Sequence, residues 1–134
     1  MRPGPARVCL GLVLLLAACS PGDYAQTPFA RAASDAASAL SAAALTLEDL
    51  HTGKLDRRYA GPSLGIYRAL VSETAATLAR QRGAPEAPTL RPALDALARA
   101  GHVLDAPCLE DGCDWQRQVG ILRSARDALL EASR

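Results

Sequence analysis

Aromatic residues are scarce in this chain of 134 residues, with one Trp, one Phe and three Tyr. Ligand pockets are usually walled by large apolar and aromatic side chains around a few polar groups. Five aromatics scattered as Tyr24, Phe29, Tyr59, Tyr67 and Trp115 favour a tight domain over a roomy one. Charge of one sign is also missing. Fifteen basic residues stand against 14 acidic ones, so neither nucleic acid nor anionic lipid headgroups have a polybasic segment to bind. No hydrophobic run is long. The apolar stretch that begins at Val8 is stopped by Ser20, Pro21, Gly22 and Asp23, short of the ~20 residues that cross a bilayer as a helix. Runs of β-branched and aromatic residues of strand type are lacking, as is an internal repeat, which excludes sheet-based folds and solenoids.

What remains reads as helix. Thr27-Pro28 is a start signal, a hydroxyl cap followed by proline at the first helical position. From there Phe29, Ala33, Ala36, Leu40, Ala43, Leu47 and Leu50 recur at alternating steps of four and three. Such a heptad seam, rich in alanine, lets a partner helix approach closely while burying little area per residue. The partner is another helix of the same bundle or a second copy of the chain. His51-Thr52-Gly53 ends the segment, with Gly53 suited to the left-handed position past a helix.

A second helix is expected to open at Gly61-Pro62-Ser63, with Ser63 as its cap, and to run through Leu64, Tyr67, Leu70, Val71, Ala75 and Leu78 until Gly83. Arg80-Gln81-Arg82 puts positive charge in its last turn, and the prolines of 83–88 mark a loop. A third helix is expected from about Thr89, with Pro92 tolerated in its first turn, along Leu90, Leu94, Leu97, Gly101 and Leu104, ending at Pro107. A fourth runs from about Asp114 through Trp115, Val119, Leu122, Ala125 and Leu129. Four helices with short connections make an all-α, antiparallel four-helix bundle spanning 27–134.

The N-terminal segment has a different character. Arg2 and Arg7 precede an apolar core of about ten residues, and Leu16-Ala17-Ala18-Cys19 follows it. Basic start, apolar core and small residues before a break are the parts of a secretory signal. With cysteine directly after the small pair, the segment resembles a bacterial lipoprotein signal peptide ending in a lipobox. The resemblance covers residues 1–19 alone. It implies that Leu16, Ala17 and Ala18 are the recognition residues, that residues 1–18 are removed, and that the Cys19 thiol carries a diacylglyceryl thioether, with palmitate among the acyl chains. Each buried methylene adds roughly 0.8 kcal/mol of membrane affinity, and two chains anchor stably where one is marginal. Residues 19–26 then form the lipidated end and a tether; fully extended, the seven residues from Ser20 to Gln26 reach at most about 25 Å. Ser20 after the cysteine implies the periplasmic face of the outer membrane in a two-membrane cell; a one-membrane cell would hold the protein on the outer face of its plasma membrane.

Cys9 belongs to the removed segment and Cys19 to the lipid, which leaves Cys108 and Cys113 in a compartment that permits disulfides. A bond between them closes a small loop joining the third and fourth helices, worth about 2 kcal/mol in the chain-entropy model. Two alternatives stand beside it. Dithiol oxidoreductases place two residues between their cysteines, not four; a metal site would recruit His102, Glu110, Asp111 or Asp114 beside the thiols.

Other motifs weigh less. Gly61-Pro62-Ser63-Leu64-Gly65 matches the G-x-S-x-G pattern of serine hydrolases, with Asp95 and His102 following in the matching order. That elbow requires a strand delivering the serine onto a turn before a helix, and helical segments flank it here. His51 and His102 each sit near a helix end, where a cationic ring suits the terminal carbonyls; Glu48-Asp49-Leu50-His51 is a single Glu-x-x-His, and the pair of such motifs on two helices that marks di-iron bundles is absent. Glu48-Asp49 reads as solvated surface, and Glu110-Asp111 lacks the ligand spacing of an EF-hand. Tyr59 beside Arg57 and Arg58 is a candidate partner surface, whereas Phe29, Tyr67 and Trp115 are expected in the core.

The expectation is a lipid-anchored envelope protein acting as a non-catalytic helical interaction or structural module, bound to the membrane through Cys19 and to an envelope protein partner, with no cofactor and no assigned metal ligands. The alternative is a small metal- or ligand-binding lipoprotein using His51, His102 and the cysteine loop.

Overall fold

The computed structural model describes residues 27–80 and 87–134; the expected signal segment, Leu16, Ala17, Ala18, Cys19 and the expected tether lie outside them. Four helices follow in order, α1 Pro28–His51, α2 Arg57–Ala79, α3 Ala87–Asp105 and α4 Trp115–Ala132, with no strand among the described residues. Packing runs α1 on α2 and α4, and α3 on α2 and α4. The result is the all-α four-helix bundle expected, with the Cys108–Cys113 disulfide between its third and fourth helices. None of these helices is long and apolar enough to cross a membrane.

The ends of α1 form for local reasons. Thr27 Oγ1 accepts from the Ala30 amide at 3.1 Å, and Pro28 takes the first helical position, where a missing N–H costs nothing. Past the other end, Gly53 adopts φ +79°, a left-handed conformation that glycine enters without a Cβ penalty. The amides of Lys54 and Leu55 then both donate to the Asp49 carbonyl, at 2.8 and 3.1 Å.

Two helices differ from the sequence expectation. α2 starts six residues before Ser63, capped by Asp56, whose carboxylate accepts from the Arg58 amide at 3.0 Å. Pro62 lies inside the helix, and the Ser63 hydroxyl donates to the Tyr59 carbonyl at 2.8 Å. Ser63 is therefore neither a cap nor the crest of a strand-to-helix elbow. α3 likewise begins at Ala87 and holds Pro92 within it. At Pro62 the sequence marks a boundary, because proline removes an amide and crowds the preceding turn; here tertiary packing carries α2 across it, while Pro92 lies inside α3 as expected, a turn deeper because that helix starts earlier. Of the expected loop at 83–88, Ala87 and Pro88 are helical and the rest lies outside the described residues.

The core combines a few leucines with many alanines. Leu40, Leu47, Leu64, Leu78, Leu97, Leu122 and Leu129 are fully buried, and so are Ala33, Ala43, Ala93, Ala96, Ala100 and Ala125. The α1 seam is buried as read, except that Leu50 is half-exposed. On α3 the expected Leu90, Leu97 and Leu104 are buried together with Ala93, Ala96 and Ala100, and Leu94 and Gly101 fall at the edge of that face. Phe29 is buried; Tyr67 and Trp115 pack against the core from its margin. The buried hydroxyl of Thr46 donates to the Ala42 carbonyl at 2.8 Å, and every buried side-chain polar atom among the described residues has a partner.

Candidate functional site at the disulfide-closed tip

Up-down topology gathers four helix ends at one pole of the bundle: the C-termini of α1 and α3 and the N-termini of α2 and α4. The loop from Ala106 to Asp114 covers that pole, and side chains from three helices fix it. Gln118 on α4 grips it twice, accepting from the Cys108 amide at 2.7 Å and donating to the Ala106 carbonyl at 3.0 Å. His51, the last residue of α1, places Nε2 2.6 Å from the Cys108 carbonyl oxygen. A carbonyl only accepts, so Nε2 carries the proton and donates. The imidazole stacks on the Trp115 indole, with centroids 5.1 Å apart and planes inclined by 2°.

Charge adds a third set of contacts. Arg57 at the start of α2 pairs with Glu110 at 2.9 Å, and Arg68 pairs with Asp105 at 2.6 Å. All four side chains are largely exposed, where such pairs orient more than they stabilise. Glu48 pairs with Arg123 of α4 and so bridges two helices, a role that its reading as plain solvated surface overlooked. Gly112, at φ +85°, provides the left-handed residue that turns the chain back toward Cys113.

The disulfide closes this loop. Cys108 is buried and Cys113 exposed, with Cα atoms 5.9 Å apart. Reducing the bond in a metal-free buffer is expected to lower stability by about 2 kcal/mol, the entropy of so short a loop. Urea denaturation with and without a phosphine reductant checks this, and an unchanged midpoint would show that Gln118 and His51 hold the loop unaided.

Beside the clasp lies an open groove of about 700 Å3 between the end of α3, the loop and the start of α4. Val103, Pro107, Leu109 and Ile121 give it an apolar floor, and Arg99, His102, Asp114 and Arg117 stand on its rim. The two histidines thus part company. His102 is exposed at the groove, whereas His51 joins the cysteines: a ring nitrogen of His51 and both sulfurs lie within 4.8 Å of one another. His102, Glu110, Asp111 and Asp114, which a metal reading of the loop would recruit, are outside that set. Asp95 is exposed on α3. Tyr59 is exposed, with the Arg58 guanidinium 5.2 Å from its ring centroid, so the arginine–tyrosine stack forms through Arg58 while Arg57 turns to Glu110.

The alternative reading of the sequence already grouped His51 with the cysteine loop; what it missed is the stack of His51 on Trp115 and the bond to the loop backbone. The available signal was topological, since an up-down bundle must put the end of its first helix next to the turn between its third and fourth.

Comparison with known protein families, with curated proteins and with solved structures finds no match.

Proposed function

We propose that this chain is a lipid-anchored envelope protein whose bundle serves as a non-catalytic interaction module, presenting the disulfide-closed tip to a partner. Leu16-Ala17-Ala18-Cys19, after a short apolar core and two arginines, is the observation that carries this reading. The bundle adds direction to it. The tether joins α1 at Pro28, and the tip lies at the opposite end of this 24-residue helix, about 36 Å away at 1.5 Å per residue. A chain held at Cys19 therefore keeps its base near the bilayer and holds out the loop, the groove and the Arg58–Tyr59 stack. Gln118 and His51 both bond the loop's backbone and hold it in place. That suits a rigid recognition surface.

Cys19→Ala is expected to move the protein from the membrane fraction to unprocessed precursor or soluble form, read by fractionation and immunoblotting. Undiminished sedimentation with membranes as a processed chain would refute the anchor. For the module, a photo-crosslinking residue at Asp111, exposed on the tip, is expected to capture one discrete envelope protein in intact cells, and the same residue at Glu131, exposed at the base, is not. Equal capture from both ends would remove the tip from the reading.

A further inference from the structure

Three groups at the tip have a chemistry that fixing the loop does not use. His51, Cys108 and Cys113 are the ligand types that borderline-soft divalent metals prefer, and their candidate ligand atoms lie within 4.8 Å of one another. Four residues separate the cysteines, within the two-to-four spacing common in zinc-binding cysteine pairs. His51 comes from another helix, 57 positions before Cys108, so the cluster is a product of the fold and not of one local turn. Its ring is already oriented, because the Trp115 stack and the bond from Nε2–H to the Cys108 carbonyl hold it in place.

We propose that the tip is a thiol-gated metal site: joined, Cys108 and Cys113 form a clasp, and once a dithiol reductant opens the bond they bind one zinc-class divalent ion together with His51.

The chemistry balances with the reductant named. A thiolate of the dithiol attacks the exposed Cys113 sulfur, forming a mixed disulfide and expelling Cys108 as thiolate. The second thiol of the reagent then displaces Cys113, and the reagent leaves as its own disulfide. Two electrons and two protons have passed to the protein. The metal replaces both thiol protons, and neutral His51 supplies the third ligand. Three protein ligands leave a fourth position for water, on a side open to solvent through the groove that Cys108 and Cys113 help to line.

This inference is independent of the lipid anchor and is tested without a membrane. The full chain carrying Cys9→Ser and Cys19→Ser, which keeps only the loop pair, is reduced with a phosphine, freed of it and titrated with Co2+. The expected result is one cobalt per chain, with thiolate-to-cobalt charge transfer, the visible bands of tetrahedral coordination and stoichiometric displacement by Zn2+. The oxidised chain gives none of these. His51→Ala weakens binding about tenfold or more, since even residues that only support a metal ligand contribute that much. A second readout needs no His51 variant: in the reduced chain, Zn2+ slows alkylation of Cys108 and Cys113 and carbethoxylation of His51, and leaves His102 as reactive as before, mapped by peptide mass. Equal cobalt binding by the oxidised and reduced chains, unchanged affinity in folded His51→Ala, or His51 reactivity indifferent to Zn2+ would each overturn the proposal.

Discussion

Leu40→Ala is expected to destabilise the bundle by about 2–5 kcal/mol, the range for leucines removed from closed cores. Leu40 is fully buried midway along α1, the helix that packs on both α2 and α4. The substitution removes transfer free energy and leaves a cavity whose walls are helices already held close by alanine. Neighbouring small side chains cannot swing in to fill it. A fall in melting temperature on the order of 10 °C accompanies that loss in a chain of this size. Thermal and urea denaturation monitored by circular dichroism measure it. A change below about 0.5 kcal/mol, typical of a surface site, would contradict the placement of this seam.

Ala43→Phe is expected to cost about 3 kcal/mol or more, at or beyond the upper end of what overpacking usually costs. Ala43 is fully buried in the same seam, so a phenyl ring must part the helices or turn outward against its own backbone. The same replacement at Ala69, exposed on α2, is expected to change stability by no more than about 0.5 kcal/mol. This contrast separates two reasons for alanine in the chain. Alanine is the best helix former anywhere along a helix, but only at the seam does its small size set how closely helices approach. If both variants were equally stable, the alanines would be there for propensity alone.

Local signals carried much of the fold. Thr27-Pro28 and Gly53 bound α1, and Asp114 caps α4 by accepting from the Arg117 amide at 3.1 Å. Each depends on residues within one turn of each other, which is why each was legible. Pro62 misled because the same local logic makes proline a boundary, while the tertiary contacts that carry α2 across it are invisible in a short window. On α3 the seam was right at Leu90, Leu97 and Leu104 but took in Leu94 and Gly101 at the edge, in place of Ala93, Ala96 and Ala100, which are buried yet carry a weak hydrophobic signal.

The site was legible only in pieces. The cysteine pair was identified from its spacing and expected compartment, and His51 from its place at a helix end. Up-down topology puts them at one end of the bundle, but their approach to within 4.8 Å depends on how α1 lies against the loop, which no spacing within the sequence encodes. The groove is harder still to foresee, since its floor draws Val103, Pro107, Leu109 and Ile121 from two helices and the loop between them. Gln118, which holds that loop at both Cys108 and Ala106, had no sequence signal at all. A glutamine on a helix is ordinarily a solvated residue.

The proposed orientation of the tip rests on the proposed anchor at Cys19. Intact-mass analysis of the native protein extracted from membranes tests it most directly. The account predicts a chain that begins at Cys19, carries a diacylglyceryl group on that sulfur and retains a Cys108–Cys113 bond. A mature chain that begins at another residue, or one whose Cys19 bears a free thiol, would contradict it.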